Sequence, residues 1–310
     1  MQRLAAISVD LDEIGCYSSI YGLDEPTGDA ARAVYLHAIP RYEALFEELN
    51  ISATFFAIGR DLAVEGNAAI IRRLHERGHE IANHTFGHRY DFSRLSRAQM
   101  SHEVRAGSAA IERATGHAPT GFRAPGYTIN DVAFEVLTEL GVSYDSSVFP
   151  CPAYFGAKAA AITSIGLRAR LGRGNPSHSI IDTPKMLSAP ADPYRVGTPF
   201  WSQGAGLLEM PIGVTRLGRL PFIGTSVVLP HPSVADGLAR AMIGRPFVNL
   251  ELHGIDASDG TLDGIGPLSE RLPELKRSAE HKLQNLRVVI RRLEAAGYRF
   301  VTLDSAAQVA

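Results

Sequence analysis

Residues 4–12 read LAAISVDLD. An apolar run of this length that closes on acids is a buried strand ending at a polar surface, and because strand side chains alternate, Asp10 and Asp12 share one face. Outward from it, RAVYLHAIPRYEALFEELNI (32–51) has helical periodicity, and SATFFAIG (52–59) is β-rich and closed by glycine. NAAIIRRLHERG (67–78) is a helix with Gly78 as its C-cap, and HEIANH (79–84) is the next strand. The alternation continues through helix 97–116, strand 121–125, helix 130–141 and strand 143–149. Repeated units of this kind predict an α/β fold with a parallel sheet, open or closed into a barrel, whose functional residues sit at the C-terminal strand ends.

Composition sets the outer limits. The 310 residues are 45% hydrophobic and 21% charged with a net charge of −2, an ordinary globular balance that argues against nucleic acid as a partner. The opening MQRLAAISVDLDE reaches acids too soon for a secretory h-region, and no run of 18 apolar residues occurs, so no transmembrane segment and a cytoplasmic location are expected. Cys16 and Cys151 are expected to be free thiols. Residues 153–206, rich in Gly, Pro, Ser and Ala, break the rhythm and read as an irregular insertion. Regularity returns with LLEMPIGV (207–214), FVNLELHGID (247–256), a long helix over 275–297 and a last strand, RFVTL (299–303).

Polar residues gather where strands end. In HEIANHTFGH, His84 and His88 stand four apart, a spacing at which both rings reach one metal ion from a helical turn or across a tight loop. Arg123 in FRAPGY, Asp145 in YDSSVFP and His253 in LELHGID occupy equivalent positions. Each has a purely structural reading: a turn cap, a surface ion pair, a satisfied core histidine. Their joint occurrence in one order favours a site.

That order (SVDLDE, ATFFAIG, HEIANHTFGH, FRAPGY, YDSSVFP, LELHGID) resembles the polysaccharide deacetylase family, the NodB-homology or carbohydrate esterase family 4 domain, over residues 7–152 and again about 208–303. The resemblance implies a single domain over 1–310, a distorted (β/α) barrel of about seven parallel strands, and a divalent metal held by Asp12, His84 and His88. One carboxylate and two imidazoles leave coordination positions open, as hydrolysis requires; zinc is the default, and other divalent metals suit the same donors. The resemblance makes Asp10 the general base and Arg123 the residue that holds it ionised. It makes a backbone N–H at Gly126 or Tyr127 the oxyanion donor, His253 the general acid, and Asp145 the residue fixing the His253 tautomer.

Three departures from the family pattern bear on the substrate. The acids are spaced D-x-D rather than adjacent, which favours the cyclic-imidase-like and some peptidoglycan-deacetylase-like branches. The tryptophan that usually follows the fourth-motif aspartate is missing, and the one tryptophan of the chain, Trp201, lies in the insertion. Glu251, on the same strand face as His253, stands where the family has an apolar residue lining the acyl pocket, and is assigned to substrate binding.

The expected function is therefore metal-dependent hydrolysis of a C–N amide bond, N-deacetylation of an amino sugar or sugar-containing conjugate first of all. The substrate is a small molecule or glycan, soluble or lipid-linked, and a location peripheral to the inner membrane face is admitted. Two alternatives remain: a deformylase or cyclic-ureide (allantoinase-like) amidohydrolase, and a catalytically silent metal- or carbohydrate-binding module. Residues 153–206 are expected to form one wall of the pocket, and their stretch AKAAAITSIGLRARLGRG, with Lys158, Arg168, Arg170 and Arg173, reads as a lid, a membrane-facing segment or a plain surface helix.

Overall fold

The computed structural model describes residues 3–21, 23–172, 177–265, 268 and 272–310. Strand β1 (Arg3–Asp10) is followed by a short helix α1 (Ile14–Tyr21) and by α2 (Ile39–Glu48), β2 (Thr54–Ala57), α3 (Asn67–Glu76) and β3 (Glu80–Asn83). Next come α4 (Arg97–Thr115), β4 (Gly121–Phe122), α5 (Asp131–Glu139), β5 (Tyr144–Asp145) and α6 (Pro152–Arg170). The chain continues with β6 (Tyr194–Val196), β7 (Gln203–Glu209), α7 (Gly224–Val228), α8 (Pro232–Met242), β8 (Phe247–His253), α9 (Ala279–Ala295), β9 (Tyr298–Phe300) and α10 (Leu303–Ala307).

All nine strands form one sheet in the order β6-β7-β5-β4-β3-β2-β1-β8. β9 joins at Arg3–Ala5 of β1, beyond the Ser8–Asp10 stretch that β2 occupies. Every pairing is parallel except β6 with β7. The count exceeds the expected seven because β6 is a three-residue strand inside the segment read as irregular, and β9 is equally short. The sheet curls, and the chain beyond β7 spans the gap to β8: Gly213 N–H donates to Asn249 O at 2.9 Å, and Ile223 bridges Glu251.

Alternation along the strands sorts the side chains onto two faces. Ile7 and Val9 of β1 and Val248, Leu250 and Leu252 of β8 join the main core, packed against Phe46 of α2, Ile71 of α3 and Leu286 and Leu293 of α9. The other face of the same strands carries Ser8 and Asp10, and Asn249, Glu251 and His253, all inside the curl of the sheet. There Ser8 Oγ donates to Asn249 Oδ1 at 2.9 Å, and Asn249 Nδ2 donates to Ser146 Oγ at 3.1 Å. Ser8, Asn249 and Ser146 are tolerated in this interior because they satisfy one another.

The segment 153–206 is more regular than its composition suggests, since helix α6 occupies its first third. Cys151 caps it, the Tyr154 N–H lying 3.4 Å from Cys151 Sγ, and Pro152 opens it. No α6 residue is fully buried, and Leu167 is 59% exposed. Arg168 and Arg170 close α6, while Arg173 lies outside the described residues. Cys16 and Cys151 are buried free thiols, as expected.

Candidate metal centre and active site

Asp12, two residues past the end of β1, is 4% exposed. Its Oδ1 lies 3.3 Å from His84 Nε2 and 3.1 Å from His88 Nε2. His84 follows β3 directly and extends the ladder, its N–H donating to Ala57 O at 3.0 Å. His88 comes back over it through a tight loop rather than a helical turn. Thr85 and His88 both adopt left-handed backbone, φ 64° and 53°, a strained conformation for side chains of this kind. The loop is pinned by His88 N–H donating to Thr85 Oγ1 at 3.0 Å and Gly87 N–H donating to Glu103 Oε2 at 2.6 Å. Asn83, just before it, donates from Nδ2 to Val104 O at 2.8 Å, tying the strand end to α4.

The donor atoms fit a cation. His84 Nδ1 is 2.8 Å from Arg123 O, and because a carbonyl only accepts, Nδ1 carries the hydrogen and the neutral ring presents a lone pair at Nε2. Asp12 Oδ1 and His88 Nε2 are buried without a hydrogen-bond partner despite standing 3.1 Å apart. Buried polar atoms left in this state are costly, and a divalent ion between them and His84 Nε2 satisfies all three. Burial works against the Asp12 charge, yet His88 and His84 hold its carboxyl well below the usual range. Burial pushes the His88 ring down, whereas Asp10 and Asp12 outweigh burial at His84 and push it up.

Beside this cluster sits a fully buried arginine. Arg123 NH1 donates to Asp10 Oδ1 at 2.6 Å, Nε donates to Ser146 O at 2.8 Å, and NH2 donates to Ser8 Oγ at 2.9 Å and Ser146 Oγ at 2.8 Å. Its guanidinium carbon lies 4.1 Å from the centre of the Phe56 ring. Asp10 Oδ2, the oxygen not taken by Arg123, points toward the cluster, 3.7 Å from His84 Nε2.

His253 is the last residue of β8 and the register partner of Asp10. Its backbone is held at both ends, N–H donating to Asp256 Oδ2 at 2.8 Å and O accepting from Tyr42 OH at 2.7 Å. Its Nδ1 is 2.8 Å from Glu251 Oε1. Burial opposes the imidazolium, and the Glu251 carboxylate more than offsets it, so the ring's pKa stands well above the ordinary value.

Asp145 is not brought to His253. Its oxygens accept from Ser147 N–H at 2.9 Å and Ser147 Oγ at 2.8 Å, and its register partner across β5 and β7 is Glu209. Burial and the neighbouring Asp145 carboxylate push Glu209 well up, and burial raises Asp145. The expected Asp145–His253 contact is thus replaced by contacts with Ser147 and with Glu209, its register partner on β7.

Gly126, Tyr127 and Glu251 line a cavity of about 230 Å³ together with Asp12 and His253. The backbone turns left-handed at both Gly126 and Tyr127, φ 59°. Tyr127 N–H already donates to Ala124 O at 3.1 Å, which leaves Gly126 as the better oxyanion candidate of the two. Tyr17, Tyr21 and Tyr154 line the same cavity. So do three ionisable residues that sequence reasoning did not place there, Tyr90, Asp256 and Glu274, together with Lys158 of the segment expected to form a wall. Tyr90 and Asp256 were within reach, being two and three residues beyond His88 and His253. Lys158, on α6, donates to Gly126 O at 2.8 Å, and burial pushes its pKa down to about 8.

Residues 33–144, which include His84, His88 and Arg123, match the polysaccharide deacetylase family model. The chain is 27% identical over 147 residues to a peptidoglycan deacetylase of Helicobacter pylori, covering 47% of this chain and 49% of that protein. It is 33% identical over 102 residues to a peptidoglycan-N-acetylglucosamine deacetylase of Bacillus cereus, covering 33% and 46% respectively. It therefore spans about half the length of these relatives or less. Among solved structures, a polysaccharide deacetylase-like protein of Mycobacterium smegmatis superposes with a TM-score of 0.59 at 17% identity, over 99% of this chain and 90% of that one. A CE4 family pseudoenzyme of Bacillus anthracis superposes with a TM-score of 0.52 at 12% identity, over 99% and 66%. These two likenesses concern the fold alone. Family model, sequence relatives and shared fold all point to one family, and residues 33–144 of this chain resemble polysaccharide deacetylases.

Proposed function

We propose that the protein is a metal-dependent hydrolase of C–N amide bonds that removes an N-acyl group, acetyl first of all, from an amino sugar or a sugar-containing conjugate. The observation that carries the reading is the meeting of three groups beside the cavity that Asp12 and His253 line: the Asp12, His84, His88 cluster, the Arg123-bound Asp10, and His253. A fold shared with a pseudoenzyme does not by itself imply turnover. A silent module would need the metal donors alone, whereas this chain also sets a buried carboxylate, Asp10, and a histidine, His253, beside them.

Asp12, His84 and His88 would hold a divalent ion, zinc by default, which would supply polarisation of the scissile carbonyl and a lowered pKa for water. Asp10 keeps Oδ2 directed at that space while Arg123 occupies Oδ1, so the free oxygen is set to take a proton from the attacking water. His253 keeps its proton at neutral pH and lines the cavity, so it can hand that proton to the departing nitrogen. Gly126 N–H is the backbone donor assigned to the carbonyl oxygen as it gains charge. Tyr17, Tyr127 and Tyr154 supply the flat faces against which a sugar ring rests. Among the described residues no helix is long and apolar enough to cross a membrane, and a soluble or lipid-linked substrate in the cytoplasm is part of the same proposal.

The test is a screen of N-acetyl, N-formyl and cyclic-ureide substrates against the zinc-loaded protein, with released acetate and formate measured separately. Acetate from N-acetylated sugars, lost by roughly 10²–10⁴-fold in Asp10→Asn and His253→Ala, is the expected result. Formate or ring-opened ureide in its place would move the assignment to another amide, and unchanged turnover in both variants would refute the residue roles.

A further inference from the structure

We propose that Glu251, and not Asp145, is the carboxylate that positions His253. The inference rests on the reading of His253 as the acid that protonates the leaving nitrogen, and it changes which residue sets that acid's tautomer and charge.

Glu251 has a side chain with 0% exposure, 2.8 Å from His253 Nδ1 through Oε1. Neither of its oxygens has a hydrogen-bond partner among the described residues, because the Nδ1 contact is short but off-line. A carboxylate sealed from water without a partner is strongly disfavoured. A small rotation of the His253 ring, which keeps 25% side-chain exposure to the cavity, aligns Nδ1–H with Oε1. The pair needs no loop to assemble it, since residues two apart on one strand share a face.

Asp145, the competing carboxylate, is already committed. Both its oxygens accept from Ser147, and Glu209 stands beside it across the strand pair. Other groups face His253 from each neighbouring element: Asp10 and Asp12 from the end of β1, Tyr17 from α1, Lys158 from α6, and Asp256 and Glu274 from the segment after β8. Among them Glu251 is the acid in contact with Nδ1. With Nδ1–H directed at Glu251, proton delivery is left to Nε2, on the cavity side. Asp10 completes a triad with Glu251 and His253 whose donor atoms lie within 4.8 Å of one another, so a second metal is the rival reading of the same three residues.

The experiment uses the zinc-loaded full chain, labelled with ¹⁵N-histidine, and follows the His253 resonances against pH in wild type, Glu251→Gln, Glu251→Asp and Asp145→Asn. Glu251→Gln should lower the His253 midpoint by about one unit or more, the usual effect of a lost opposite charge at this range. It should also move the alkaline limb of kcat/KM the same way and cut kcat about tenfold or more with little change in KM. Glu251→Asp should restore part of both, and Asp145→Asn should leave the midpoint where it is. A midpoint unmoved by Glu251→Gln, or moved by Asp145→Asn alone, would overturn the assignment. So would a second equivalent of zinc that disappears in Glu251→Gln. If Glu251→Gln does not fold, the wild-type ring decides: a neutral form protonated at Nε2 instead of Nδ1 refutes the pairing. The resonances need no turnover, so a chain that hydrolyses none of the acyl substrates would sink the functional reading and leave this one standing or falling by itself.

Discussion

Replacing Arg123 by methionine keeps most of the side-chain volume and removes the one guanidinium that holds Asp10. Four hydrogen bonds of 2.6–2.9 Å go with it, along with the stacking on Phe56. The larger consequence is electrostatic: Asp10, 2% exposed, is left as an uncompensated buried charge. Breaking a buried pair from one side costs about 3–5 kcal/mol, a large part of the roughly 5–15 kcal/mol that holds a domain together. If the charge is the cause, adding Asp10→Asn to Arg123→Met should return part of the loss, with a coupling of about 2 kcal/mol or more. Urea unfolding followed by circular dichroism, with zinc fixed at one concentration across all four proteins, measures the cycle. Additivity within about 0.5 kcal/mol would refute the claim that Arg123 acts through the Asp10 carboxylate, and would assign its contribution to packing instead.

Three further outcomes are expected. Elemental analysis should find about one divalent metal per chain, with His84→Ala and His88→Ala each losing most of it; equal content in all three proteins would remove the metal centre. The alkaline limb of kcat/KM should lie above neutrality, because His253 keeps its proton to a higher pH than a free imidazole; the stabilisation from that proton is complete below about 6.5 and disappears as pH rises through the raised value, and a limb at about 6.5 would contradict the role of the neighbouring acid. Gly121→Ala should destabilise by about 1–3 kcal/mol, because a Cβ there overlaps the buried Tyr144 ring, whose hydroxyl is fixed on Glu80 at 2.6 Å; an unchanged urea midpoint would mean that the strand shifts freely.

How far the sequence could be read depended on how local each signal was. β1, β2, β3 and β8 were legible because apolar or β-rich runs that close on an acid, a histidine or, in β2, a glycine mark them within ten residues. His84 and His88 were legible as a pair, although the loop joining them depends on left-handed backbone at two residues that carry no glycine signal. Helix α6 was hard to see because it buries none of its residues fully, so no apolar stripe repeats along it. Residues 14–21 contain too little periodicity to announce α1. The Asp145–Glu209 contact depends on β5 lying beside β7 with β6 passed over, a matter of strand order that neither residue encodes alone. The shared face of Glu251 and His253 was visible from alternation; the distance between their tips was not.

β1 and β8 run in register from Leu4 opposite Phe247 to Asp10 opposite His253. Adjacent strands keep a spacing of about 4.8 Å wherever they pair. The separation between the two residues assigned to move protons is therefore a lattice constant of the sheet, fixed by the six successive rungs beneath it. Loops can lengthen or exchange without altering that interval, so adaptation to a new acyl donor has its latitude in α6 and the tyrosines around the cavity mouth, while the reacting pair stays a ruler of constant length.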